Sequence, residues 1–128
     1  MSNDLQENLQ PIAPHPMSDR ITQEHLSVLA DAPGVGNGSH HYIVKDAAGH
    51  VVLDLKFQHG ALQEVGLNGV LTGTLLQIMV HHLKGFQAGP YPSRETAVVI
   101  TKLEEALQWS KQRELERALR NVLGTAAK

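Results

Sequence analysis

The residues of this 128-residue chain best suited to chemistry lie in its last third. Phe86 offers a flat ring beside a Gly/Pro turn, Gly89-Pro90-Tyr91-Pro92. A ring in that place either plugs the core or stacks on a nucleobase, and base stacking is worth ~1–3 kcal/mol. Directly after the turn, Ser93 has the side chain of a helix N-cap, and Glu95 falls in the first turn, where the dipole favours an acid. The N–H groups of Ser93, Arg94 and Glu95 would then form an anion site. Further along the same helix, positions 99, 103, 106, 110, 113, 117 and 120 step by four and three and read Val, Leu, Ala, Ser, Arg, Arg, Arg. The stripe begins apolar and ends in three guanidiniums, whose planar forks suit bidentate phosphate. The alternative is a solvated face on which Glu116 pairs with Arg113 and Arg120. Ring, helix start and stacked arginines are the parts of a pocket for a small nucleotide.

Other chemistries find little support. Two of the histidine pairs are adjacent, His40/His41 and His81/His82. Neighbours on a strand or helix point apart, so neither pair chelates one metal, and no HExxH spacing is present. No metal and no cofactor is expected. The chain has no cysteine and no GxSxG nucleophile elbow. Asp54 and Glu64 fall on separate predicted strands and read as surface residues. Gly34-x-Gly36-x-Gly38 fits neither a P-loop nor a dinucleotide fingerprint and reads as a linker. Trp109 lies on a different helix face from the arginines and reads as packing.

The elements that position these residues follow from patterning. Residues 1–38 read as a flexible extension ending in the Gly-rich linker, with a short helix over 18–30 capped by Ser18 or Asp19. From His41, strands are predicted. Val51, Leu53, Leu55 and Phe57 alternate with Val52, Asp54, Lys56 and Gln58, which is period-two patterning with one buried face. A further strand over Ala61–Leu67 would complete a three-stranded antiparallel meander. A helix opens at Thr74-Leu-Leu-Gln77, a capping-box pattern, and stops near Gly85, which leaves Phe86 in the loop beyond it. The last helix runs from Ser93 to about residue 122, ~45 Å at 1.5 Å per residue. It is too long for a three-stranded sheet to cover, so its distal half is expected to pack on another copy. The fold class is α+β, with one domain over 39–125.

Composition bounds the rest. Hydrophobic residues make up 41% but aromatics only 4%, so the core must be aliphatic. A domain of this size leaves much surface exposed, which makes oligomerisation a natural aid. A net charge of −2 disfavours duplex nucleic acid, which wants a broad basic field. No apolar run approaches the ~20 residues that span a bilayer, and the N-terminus lacks a basic segment followed by an apolar one. No membrane partner and a soluble, cytoplasmic protein are the expectation.

The segments Asp54-Leu-Lys-Phe-Gln-His-Gly60, Glu64-Val-Gly-Leu-Asn-Gly-Val70, Phe86-Gln-Ala-Gly-Pro90, Arg94-Glu-Thr-Ala97 and Arg113…Arg117 fall in order over residues 42–125. Together they resemble the phage Thoeris anti-defence sponges of the first described family. That resemblance implies a small protein with an antiparallel sheet and two helices, assembled as a homodimer or homohexamer in the host bacterial cytoplasm. It implies sequestration of cyclic ADP-ribose isomers and, in some members, of CBASS cyclic oligonucleotides at a separate site. The family's adenine-stacking ring falls on Phe86 and its two helix arginines on Arg113 and Arg117. Where the family has an Asn at the start of the last helix, this chain has Thr96. A hydroxyl is shorter than an amide and cannot make the amide's two simultaneous bonds. Gln87, Ser93, Arg94 and Arg120 are second-tier ligand candidates. The expectation is a binding protein without catalytic residues. A nucleotide-cleaving enzyme, or a helical interaction protein whose arginines only pair with carboxylates, are the rivals.

Overall fold

A computed structural model describes residues 8–119. The chain divides into two compact units, Met1–His59 and Gly60–Lys128, and the division falls inside the span 39–125 read as one domain.

The first unit is an antiparallel four-stranded sheet in the order β1-β2-β3-β4. Its strands are β1 (Gln10–Pro11), β2 (Leu26–Ala30), β3 (His41–Asp46) and β4 (Val51–Lys56). The predicted third strand at Ala61–Leu67 is absent, and β1 and β2 instead come from the segment read as an extension. Residues 18–30 split between two structures. Helix α1 (Arg20–His25) is capped by Asp19, whose carboxylate accepts the Thr22 N–H at 2.7 Å. The chain then turns extended, and Leu26–Ala30 pairs residue for residue with Asp46–Tyr42 of β3. A full ladder outweighs the weak helical pattern of Ile21, His25 and Leu29, because six helical residues make few internal bonds.

Ile43 is the centre of this sheet, 0% exposed, paired with Leu29 on one side and Asp54 on the other. The Tyr42 ring meets Phe57 edge-on, with centroids 5.7 Å apart. On β4 the expected buried face is only partly realised: Leu55 and Phe57 are half-buried, while Val51 and Leu53 are exposed. Val44 pairs with Leu53 and Lys45 with Val51, so Val52 is an extra residue, a bulge that interrupts the alternation. Between β2 and β3, Asp31 ties the chain together. Its carboxylate accepts the N–H groups of His40 and His41 at 2.8 and 3.1 Å. The Gly-rich stretch between these strands holds one short 3-10 turn, Val35–Asn37.

The second unit is helical. The residues predicted as the third strand form α2 (Leu62–Val65), bracketed by Gly60 and Gly66 at φ +93° and +74°. Only glycine adopts such angles without strain, and a side chain at 60 would also bring its Cβ within 2.9 Å of Val65. Helix α3 (Thr72–Gln87) begins two residues before the predicted cap, and Thr74 instead accepts the Leu71 N–H from the third helical position. It ends two residues later than predicted, because Gly85 stays helical and the stop is made by Ala88, Gly89 and the prolines. Helix α4 (Arg94–Leu119) is 26 residues long, ~39 Å.

Helices α3 and α4 pack antiparallel. The start of α3 at Gly73 lies beside Leu107 and Ser110, while its end at Gln87 is bonded to Ser93. Lys84 and Glu104 pair at 2.9 Å across the hairpin. Val80 and Ile100 are its buried apolar side chains among the described residues. Ile78, Met79, Phe86, Val98, Val99, Trp109, Leu115 and Leu119 remain exposed. Beyond Ser110, nine residues of α4 run on past the start of α3, about 14 Å of helix.

Candidate functional site

The turn from α3 to α4 is held by one glutamine. Gln87 closes α3, and its side-chain amide clamps the backbone of Ser93. Its Oε1 accepts the Ser93 N–H at 2.8 Å, and its Nε2 donates to the Ser93 carbonyl at 3.0 Å. Ser93 then caps α4 as the sequence predicts: its Oγ accepts the Thr96 N–H at 3.0 Å and donates to Thr96 Oγ1 at 2.9 Å. Gln87, Ser93 and Thr96 are therefore one hydrogen-bonded chain, partly buried. The Ser93 N–H proposed for an anion is engaged by Gln87. Thr96 Oγ1 already accepts a hydrogen bond from Ser93, which leaves its own hydroxyl hydrogen to donate.

Phe86 is not in a loop, as the sequence reading has it, but in the last turn of α3. It is 53% exposed, so it is not a core plug. His82, one turn earlier on the same face, meets its ring edge-on, with centroids 5.2 Å apart and planes at 75°. Both rings border an open cleft of about 330 Å³, lined by His82, Gly85, Phe86, Gly89, Pro90 and Tyr91. Tyr91 is 78% exposed, and no other described ring packs on it. The sequence reading missed His82, Gly85 and Tyr91 as members of the site. Ending α3 at Gly85 hid the four-residue spacing that puts His82 beneath Phe86.

The arginines are elsewhere. Arg113 and Arg117 lie on the part of α4 that extends past α3, and Arg120 lies outside the described residues. Arg113 is exposed and makes no ion pair among the described residues, so the anticipated pairing with Glu116 is not formed; Lys111 and Glu114 pair instead, at 3.2 Å. Arg117 is half-buried, and Arg94 is exposed at the first position of the helix. From Thr96 to Arg113 is 17 positions, ~25 Å along one straight helix. The structure thus places Phe86, Gln87, Ser93 and Thr96 at one end of the hairpin, with Gln87, Ser93 and Thr96 joined to one another but not lining the cleft beside Phe86, and places Arg113 and Arg117 at the other end.

Of the adjacent histidine pairs, His40 and His41 have structural partners in the sheet unit. His40 stacks on His59 at 4.1 Å, and His41 bonds Asp54 at 2.7 Å. No group of three side chains able to hold a metal ion occurs among the described residues. Burial pushes the Asp31 carboxyl up, but the N–H groups of His41 and His40 outweigh that and hold it below the usual carboxylate range. No described helix is long and apolar enough to cross a membrane.

Comparison with known proteins adds two findings. Residues 50–113 match the family model of the Acb2/Tad1 hairpin domain. The chain is also 42% identical over 95 residues to Thoeris anti-defense 1 of Bacillus phage SBSphiJ7. That alignment covers 74% of this chain and 66% of the relative's length.

Proposed function

The chain belongs to the Acb2/Tad1 family, and we propose that it is a phage anti-defence protein that binds and sequesters a small immune-signalling nucleotide without cleaving it. The ligand class is a cyclic ADP-ribose isomer such as glycocyclic ADP-ribose, held in the host cytoplasm. The observation that carries this reading is the separation of ring and guanidiniums. A ligand of this size has an aromatic base and a pyrophosphate only a few bonds apart, yet Thr96, at the same end of the hairpin as Phe86, sits ~25 Å along α4 from Arg113. One chain offers half a site at each end of its hairpin. Two copies laid antiparallel about a two-fold axis would join each aromatic end to the partner's arginine end and make two identical closed sites.

The exposed apolar side chains support such an assembly. Val98, Val99, Trp109, Leu115 and Leu119 leave α4 with more apolar surface in water than a small unit tolerates well. In the joined site Phe86 stacks the adenine, the Thr96 hydroxyl donates to its edge or to the ribose, and Arg113 and Arg117 clamp the pyrophosphate. A closed interface releases its ligand slowly, which is what sequestration requires.

The test is to mix the protein with glycocyclic ADP-ribose, measure free ligand, then heat-denature the protein and analyse the supernatant. Depletion followed by intact ligand on heating supports sequestration. A converted product identifies a cleaving enzyme, and no depletion leaves the helical interaction protein.

A further inference from the structure

Gly85 stands inside α3, yet nothing in the fold requires a glycine there. Its φ is not positive, and a Cβ built on it meets no atom of the described residues within 4 Å. A helical glycine is less favourable than alanine, so the position carries a local cost with no backbone reason for it. Gly60 is the contrast, since there both the dihedral and the neighbouring Val65 demand glycine. Gly85 does border the cleft, directly before Phe86, together with Gly89. Gly89 likewise has no positive φ, and its Cβ would make only ordinary contacts, at 3.6 Å, with the carbonyl oxygens of Gly85 and Phe86. The backbone would accept side chains at both positions, and a side chain at 85, with no described atom near its Cβ, would have the cleft beside it to occupy.

We propose that Gly85 is a specificity-determining residue whose missing side chain makes room for one purine-sized ring on Phe86, with Tyr91 as the second aromatic wall and His82 bracing the Phe86 ring. The volume agrees: about 330 Å³ is at the small end of ligand sites, which run ~300–1,000 Å³, so the cleft takes a base and leaves the phosphates to other groups. Tyr91 is placed between Pro90 and Pro92, whose fixed dihedrals hold its backbone ready without a ring partner. His82 borders the cleft, but its part in this arrangement is to hold the Phe86 ring. It is a positioning residue, since a ring at 75° to that of Phe86 braces it and covers at most one of its two faces, leaving the other for stacking.

The identity of the ligand rests on the function proposed above, but the base subsite stands on the cleft itself, so two probes are used. Calorimetry with glycocyclic ADP-ribose reads whole-ligand affinity. Adenosine, which has no phosphate, reads the subsite alone through the ring-proton NMR shifts of Phe86, Tyr91 and His82. Gly85→Leu is expected to lose at least tenfold affinity for glycocyclic ADP-ribose and to abolish the adenosine shifts, with Tm equal to or above that of the parent protein. Tyr91→Ala is expected to lose several-fold, and Tyr91→Phe to restore it. If Gly85→Leu binds either probe as the parent does, the proposal is overturned. Should Gly85→Leu fail to fold, unchanged binding by Tyr91→Ala overturns it as well. If the parent protein binds no glycocyclic ADP-ribose, the sequestration reading fails, and the adenosine shifts alone decide the subsite: present at these three rings they support it, absent they refute it.

Discussion

Replacing Gln87 with Ala separates two roles that the sequence could not tell apart, ligand contact and structural clamp. The structure assigns Gln87 two hydrogen bonds to the backbone of Ser93, at 2.8 and 3.0 Å, both partly buried. Each is worth ~0.5–1.5 kcal/mol net. The loss is not symmetrical. The Ser93 carbonyl keeps its helical bond from the Ala97 N–H at 3.1 Å, so only the Ser93 N–H is left without a protein partner. The expected cost is therefore about 1–2 kcal/mol, a fall in Tm of roughly 4–8 °C for a chain of this length. Gln87→Glu keeps the acceptor for the Ser93 N–H and puts a negative charge beside the start of α4. It loses the donor to the Ser93 carbonyl, so about half the cost should return. Chemical denaturation gives the free energies, and hydrogen exchange at the Ser93 and Thr96 N–H groups locates the change at the helix start. If Gln87→Ala changes stability by less than ~0.3 kcal/mol while nucleotide affinity drops, Gln87 is a ligand contact and the clamp argument is wrong.

Arg113→Ala removes an exposed guanidinium with no ion pair among the described residues, so stability should stay within ~0.5 kcal/mol while nucleotide affinity falls ~10–100-fold by calorimetry. Gly60→Ala forces a Cβ to 2.9 Å from Val65 at φ +93°, and should cost about 1–3 kcal/mol in urea unfolding. Because the folded state holds the Asp31 carboxyl below its unfolded value, its contribution is complete above the unfolded pKa of ~3.9 and fades as pH falls through the lower folded value. Asp31→Asn should therefore lower stability at neutral pH and flatten the loss of stability below pH ~4, as read by Tm against pH. Ile43→Ala empties the fully buried centre of the sheet and should cost ~2–5 kcal/mol.

Local chemistry was legible in the sequence where one residue type decides the geometry. Ser93 as a cap and the long final helix both follow from side-chain patterns that act over a few residues. The α+β class followed as well. What failed depended on distant partners. Leu26–Ala30 carries a weak helical pattern and becomes a strand only because β3 offers it a ladder. The segment after Gly60 alternates enough to suggest a strand, but left-handed glycines at 60 and 66 enclose a single helical turn there. At the site, the nature of the aromatic end was readable from Phe86 and its Gly/Pro turn. The cleft was not, because it depends on Gly85 remaining helical and so bringing His82 into line. The distance from Thr96 to the arginines was countable from residue numbers, but it became an argument once α4 was seen as one uninterrupted helix.

That unbroken helix acts as a ruler with a phase. One residue inserted between Ser110 and Arg113 would advance both guanidiniums by only ~1.5 Å but swing them ~100° around the axis. Seven inserted residues would return them to within ~20° of their direction while shifting them ~10 Å. The spacing between Thr96 and Arg113 is thus a fixed gauge, and short insertions or deletions along the outer part of α4 are filtered by rotation before length matters.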